Sequence, residues 1–155
     1  MRYPRRLILS IVPGLVLAST SFALDVTGTW EGKEKCLVYT EQQRTTTETT
    51  TLSITQSGTD LNVSIVGGQV VAAMNGAAIA NTKDPDAGQV GIYRCGTSTT
   101  LSMTGIFTAK TKASGAGTLK GSINVVGHGP GDGTAACTYS LKRISTSNPV
   151  VGPCS

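Results

Sequence analysis

The chain has 155 residues, of which 14% are charged, and its formal net charge is +4. Aromatic residues are scarce, with one tryptophan, four tyrosines and two phenylalanines, so any core must be built largely from aliphatic and small side chains. A nucleic-acid-binding surface would need clustered cations and stacking aromatics; the sequence has neither, and we expect no nucleic acid among the partners.

The first 23 residues have the pattern of a secretory signal peptide. Three arginines within the first six residues precede an apolar stretch over 7–17, and Ser21 and Ala23 offer small residues at a cleavage site. The apolar stretch is too short to span a bilayer. We therefore predict cleavage after Ala23, an exported protein that is periplasmic or extracellular, and no membrane span afterwards. Cleavage leaves 10 basic and 9 acidic residues, so the basic character belongs mainly to the targeting segment.

The rest of the chain predicts one folded domain over 24–146 and a tail over 147–155 that is rich in proline and glycine. The domain opens with a period-2 alternation of small or apolar residues and polar ones. Such alternation predicts a strand with one buried face. The inward positions are Val26, Gly28, Trp30, Gly32, Cys36 and Val38, and the outward ones are Thr27, Thr29, Glu31, Lys33 and Lys35.

Further strands are predicted in chain order around 45–56, 61–65, 89–95, 101–107, 119–125 and 137–143. The alanine-rich segment 70–80 has two interpretations. It is either a short helix, which alanine favours, or two strands that meet at an Asn75–Gly76 turn, and we prefer the second. The total of eight or nine strands predicts an all-β, antiparallel up-and-down barrel of about eight strands, with a β-sandwich as the alternative.

Four cysteines, Cys36, Cys95, Cys137 and Cys154, predict two disulfides in an exported chain. They contain no C-x-x-C pair and are widely spaced, which argues against a metal site. We predict no metal and no cofactor.

The first and last strands of a barrel with an even number of strands lie side by side and antiparallel. If Cys36 lies opposite Cys137, Glu34 lies opposite Tyr139 on the inward face. A buried carboxylate needs a polar partner, so Glu34 and Tyr139 are candidate ligand-binding residues. Alternatively, Glu34 is solvated near a barrel mouth, or it forms an ion pair with Arg143 or Arg94.

The same register places Trp30 against Arg143 in a cation–π arrangement. A Gly-x-Trp in the first strand (Gly28 to Trp30), with an arginine from the last strand packing on the tryptophan, resembles the lipocalins and the wider calycin superfamily. The opening of the domain is also similar to that of the avidin-like barrels. This resemblance implies a closed eight-stranded barrel in which Gly28, Trp30 and Arg143 have a structural role in closure, and it implies a small apolar ligand. The tryptophans of an avidin biotin pocket have no counterpart, because Trp30 is alone.

With Cys36 joined to Cys137, the second disulfide would be Cys95–Cys154, which pins the tail to the barrel as in some lipocalins. Two other connectivities stay open: Cys36–Cys95 with Cys137–Cys154, and Cys36–Cys154 with Cys95–Cys137.

No catalytic arrangement emerges from the sequence. His128 is the single histidine and lies with Asp132 in a glycine-rich loop, which does not supply the further partners that a catalytic site needs. We therefore expect a non-enzymatic barrel that binds a small apolar or amphipathic ligand in its interior. The alternative is a filled barrel that acts as a surface interaction module or protease inhibitor. An interior cavity below about 300 Å³ would count against ligand binding.

Overall fold

The computed structural model describes residues 24–40, 42–96, 101–128 and 133–151. The predicted signal peptide and Cys154 lie outside these ranges. Within them the chain is all-β, and no helix is long and apolar enough to cross a membrane. The strands are β1 (Gly28–Tyr39), β2 (Gln43–Ser57), β3 (Asp60–Val66), β4 (Ala72–Ala80), β5 (Ala87–Arg94), β6 (Leu101–Thr111), β7 (Gly117–Gly127) and β8 (Thr134–Ser145).

Each strand pairs with the next one along the chain, and β8 returns to pair with β1. All of these pairings are antiparallel. The predicted eight-stranded up-and-down barrel is thus confirmed, and the sandwich alternative is wrong. Alternation explains why the strands form: on β1, Trp30 and Cys36 are buried while Glu31 and Lys35 are exposed.

The register between β1 and β8 is the one that the cysteines predict. Cys36 lies opposite Cys137 and is joined to it by a disulfide. Glu34 therefore lies opposite Tyr139 in the same ladder. Towards the start of β1 the ladder also pairs Trp30 with Arg143, and a register shift follows between Thr29 and Trp30.

The alanine-rich segment corrects the sequence interpretation. β4 is one continuous strand that runs through Asn75 and Gly76, so the segment forms neither a helix nor a turn. Gly76 lacks the positive φ that a type I′ turn requires. It is instead a point of close strand approach, since a Cβ there would lie 2.3 Å from the carbonyl oxygen of Gly91 on β5.

The two ends of the barrel differ. We call the end where β3, β5 and β7 finish the mouth, and the opposite end the base. At the base, Leu24 and Val26 precede β1 and are fully buried beside Trp30. Between the two ends, one continuous hydrophobic cluster fills the interior, including Phe107 and Met74.

Candidate functional site

Glu34 lies on the inward face of β1 towards the mouth and is only 1% exposed. The residues between β3 and β4 fold over it, and we call residues 67–70 the capping segment. The backbone N–H of Gln69 donates to Glu34 Oε1 at 2.7 Å. Gly68 approaches so closely that a Cβ there would lie 2.5 Å from Oε2. Glu34 thus anchors the capping segment from inside the barrel.

The capping segment is held from β2 as well. The hydroxyl of Thr50 donates to the carbonyl of Gly67 at 3.0 Å, and the side-chain amide of Gln69 donates to the Glu48 carboxylate. Gly67 and Gly68 both have positive φ, at 85° and 74°. This left-handed backbone is accessible to glycine and costly for other residues, which explains why the two consecutive glycines stand here.

Tyr139 lies beside Glu34 on β8 and is 4% exposed. Its ring packs against Phe107, with 5.6 Å between the ring centroids. Within the described part of the chain, neither the Tyr139 hydroxyl nor Glu34 Oε2 makes a hydrogen bond of good geometry. Buried polar atoms usually have a partner, and the Tyr139 hydroxyl is the neighbouring polar group that favours the charged form of Glu34.

Burial dominates the electrostatics of this pair. It raises the pKa of the Glu34 carboxyl, and the nearby Glu48 charge adds to the effect, while the Gln69 N–H and the Tyr139 hydroxyl oppose it. Burial and the adjacent Glu34 charge raise the pKa of Tyr139 far above its ordinary value. Both side chains are therefore biased towards their neutral forms.

These findings correct the alternative interpretation of Glu34. The side chain is not solvated, and its partners are backbone groups of the capping segment. Among the described residues, no arginine forms an ion pair with it. A polar role for Glu34 was predictable from strand parity, whereas its partner was hidden in a segment that reads as a simple glycine break.

The nearby disulfide excludes a metal at this position in the oxidised protein. Glu34, Cys36 and Cys137 offer ligand atoms that lie within 4.8 Å of one another. However, the two sulfurs are bonded to each other, and metal ligation needs a free thiolate. The Cys36 Sγ lies 2.9 Å from Glu34 Oε1 as a polar contact, because a disulfide sulfur has no hydrogen to donate. Cys95 is also disulfide-bonded, and its pairing with Cys154 stays a prediction because Cys154 lies outside the described residues.

A cavity of about 460 Å³ lies at the mouth beside the capping segment. Gln69 and Val70 of that segment form one side, and Arg94 at the end of β5 contributes a charge. The apolar wall is formed by Val70, Ala72, Leu101, Met103, Val125 and Ala135. From the sequence, Arg94 was an alternative partner for Glu34, and its inward parity on β5 is the signal that could have placed it at the cavity.

Trp30 and Arg143 lie at the base, away from the cavity at the mouth. Trp30 is fully buried, and its indole N–H donates to the carbonyl of Val26 at 2.9 Å. The Arg143 guanidinium lies 4.6 Å from the ring centroid and also donates to the carbonyl of Asp25. Gly28, with φ of 128°, packs against the backbone of β8, where a Cβ would clash with the carbonyl of Ser145. These contacts fasten the start of β1 to the end of β8.

His128 is exposed at the mouth, and its Nε2 lies 3.1 Å from the hydroxyl of Ser102. No carboxylate within the described ranges completes a catalytic group around this pair.

Comparison of the chain with protein-family models, with curated proteins and with solved structures finds no match.

Proposed function

We propose that this protein is a non-enzymatic barrel that binds a small amphipathic ligand at its mouth. One observation carries the proposal: a cavity of about 460 Å³ with an apolar wall opens at the mouth. Ligand pockets commonly measure about 300–1,000 Å³ and combine apolar lining with a few polar groups. The cavity therefore has a suitable size for a small molecule, and its lining combines apolar side chains with polar surface.

The proposal places the ligand at the mouth. Below it, the barrel axis is filled by buried side chains that include Met74, Phe107 and Tyr139. Protein interiors are packed too densely to admit a further molecule without displacing such groups. A ligand would therefore rest on the core instead of penetrating it.

Neither Glu34 nor Tyr139 lines the cavity, and in this proposal Glu34 acts indirectly. Glu34 fixes the capping segment through the N–H of Gln69, and Gln69 and Val70 line the cavity. A pocket wall that is held by a buried contact is pre-organised, which lowers the entropic cost of binding.

We further propose that the protein works outside the cytoplasm. The pattern of residues 1–23 supports export, and the Cys36–Cys137 disulfide suits an oxidising compartment.

The test is a titration of the mature protein with 1-octanol, a neutral amphiphile, followed by NMR chemical shifts. We expect saturable shifts confined to residues around the cavity. Ala135→Phe places a ring in the cavity and should abolish them. Ala136→Phe is the matched control, because Ala136 is exposed on the outer face of the same strand. The proposal fails if neither octanol nor octanoate gives saturable shifts at the mouth.

A surface interaction module remains a second candidate, favoured by the outer face of β4 to β6. Ile79, Tyr93 and Ile106 are exposed there by 66%, 55% and 68%, and apolar patches on a surface often mark contacts with other proteins. Ile106→Lys should then abolish co-sedimentation with a partner from the native envelope extract, while octanol binding is unchanged. Co-sedimentation that survives this change would count against the second candidate.

A further inference from the structure

Arg94 is a cation on the inward side of the barrel. Along β5, Val90 and Ile92 point into the core and are 1% and 4% exposed. Arg94 is the next position of the same parity, and it is half-buried at the mouth cavity. Long cationic side chains are rarely placed inside a barrel, because partial burial of a charge is costly without a partner.

Among the described residues, Arg94 uses little of its hydrogen-bonding capacity. Its Nη1 donates to the carbonyl of Leu101 at 3.3 Å, whereas a guanidinium has five N–H donors. No carboxylate in the described ranges lies within ion-pair distance of it. Glu34, the buried acid at this end, accepts the backbone N–H of Gln69 in the capping segment.

Among the described residues that line the mouth cavity, Arg94 alone is charged. The cavity therefore combines one positive charge with an apolar wall that includes Leu101, Met103 and Val125. A planar guanidinium matches an oxyanion such as a carboxylate, which it can bind through two parallel hydrogen bonds.

We infer that the mouth cavity selects an anionic amphiphile, with its carboxylate on Arg94 and its chain along the apolar wall. This inference rests on the proposed function and adds the charge of the ligand to it. A carboxylate supplies the partner that Arg94 lacks among the described residues, and the apolar wall covers the chain. A neutral ligand of equal length would bury the same apolar area, but its head group would accept only an uncharged hydrogen bond and would supply no counter-charge to the guanidinium.

The experiment compares octanoate, 1-octanol and octylammonium, which share the chain and differ in head group. Dissociation constants come from NMR titrations of the mature protein at neutral pH and low salt. We expect octanoate to bind about 10- to 100-fold more tightly than octanol, because hydrogen bonds to charged groups are stronger than neutral ones. Octylammonium should bind most weakly.

Arg94→Gln should remove the advantage of octanoate and leave octanol binding nearly unchanged, while Arg94→Lys should retain part of the advantage. Lys120→Gln is the control, since it removes one positive charge from the exposed outer face of β7. If Arg94→Gln does not fold, the affinities of the wild-type protein for the three probes still test whether the cavity prefers an anion.

The outcomes separate the two proposals. Equal affinity for octanoate and octanol, with shifts at the mouth, overturns the anion selectivity and keeps the binding function. An octanoate preference that Lys120→Gln reduces as much as Arg94→Gln overturns the role of Arg94. Absence of binding by every probe overturns both proposals.

Discussion

At the scale of single residues, Gly68 is the tightest constraint on the capping segment. It has a left-handed φ of 74°, and a Cβ would lie 2.5 Å from the Glu34 carboxylate. The carboxylate has little freedom to move because the Gln69 N–H holds it. We expect Gly68→Ala to lower the free energy of unfolding by about 2–3 kcal/mol, through backbone strain and steric overlap together. Urea unfolding measures this loss.

Gly58 supplies the matched control for that substitution. Its φ is 62°, and a Cβ there would meet no atom within 4 Å, so Gly58→Ala incurs only the backbone cost of about 1–2 kcal/mol. In a double-mutant cycle, Gly68→Ala should cost less stability in the Glu34→Ala background than in the wild-type background. Equal losses for the two alanine variants would show that contact with Glu34 is unimportant.

Arg143 tests the contact with Trp30 at the base. Arg143→Leu keeps an apolar side chain and removes both the cation over the indole ring, 4.6 Å from its centroid, and the hydrogen bond to the Asp25 carbonyl. We expect a loss of about 1 kcal/mol in the free energy of unfolding, measured by urea unfolding with Trp30 fluorescence. Lys142→Leu, on the exposed outer face, should change stability by less than about 0.5 kcal/mol. A loss at Lys142 as large as that at Arg143 would contradict a specific stabilisation by the contacts of the Arg143 guanidinium.

At the scale of elements, the pairing of β1 with β8 closes the barrel, and a disulfide fastens it. Cys36 and Cys137 are separated by 101 residues, and a loop of that length gives a stabilisation of about 3–5 kcal/mol in the entropic model. We expect the double variant Cys36→Ala/Cys137→Ala to lose stability in that range, as measured by urea unfolding.

The control for the disulfide is a neighbouring cross-strand pair on the outer face. Lys35 lies opposite Thr138 in the same ladder, and the double alanine variant of this pair should lose less than about 1 kcal/mol. A loss below 1 kcal/mol for the cysteine variant would mean that strand pairing alone closes the barrel.

The two outcomes on β1 and β4 show what strand patterns can predict. The β1–β8 register was predictable because strand alternation has a period of two and the cysteines fix the pairing. The course of β4 was not, because Asn75–Gly76 is a turn signal only when read locally. Its actual cause is the approach of Gly91 from β5, which is a contact between distant segments.

At the scale of the whole molecule, the barrel was predictable and the cavity was not. Parity places Glu34 and Arg94 inward without any coordinates. However, Gln69 of the capping segment bonds to Glu34 across 35 residues of sequence. The glycines at 67 and 68 indicate that the chain bends there, but they do not indicate in which direction. The depth of the cavity depends on how far the core fills the axis, which composition alone does not determine.

The buried Glu34 also makes global stability depend on pH. Its raised pKa means that the folded protein binds the proton more tightly than the unfolded chain, where the carboxyl has its ordinary pKa of about 4.3. Between these two pKa values the native state holds more protons, so the free energy of unfolding falls as pH rises. Below this window both states are protonated, and the contribution of Glu34 is at its most favourable.

Glu34→Gln isolates this effect, because glutamine retains an Oε1 acceptor for the Gln69 N–H and does not titrate. Other carboxylates titrate in both proteins, so their contribution largely cancels in the difference. Urea unfolding of both proteins between about pH 3 and pH 8 should show wild type losing stability relative to Glu34→Gln from about pH 4 upwards, with the difference constant above the raised pKa. Parallel curves would mean that the hydrogen bonds of the capping segment balance the effect of burial on the pKa of Glu34. A wild type that gains on the variant with rising pH would mean that these hydrogen bonds stabilise the charged carboxylate more than burial disfavours it.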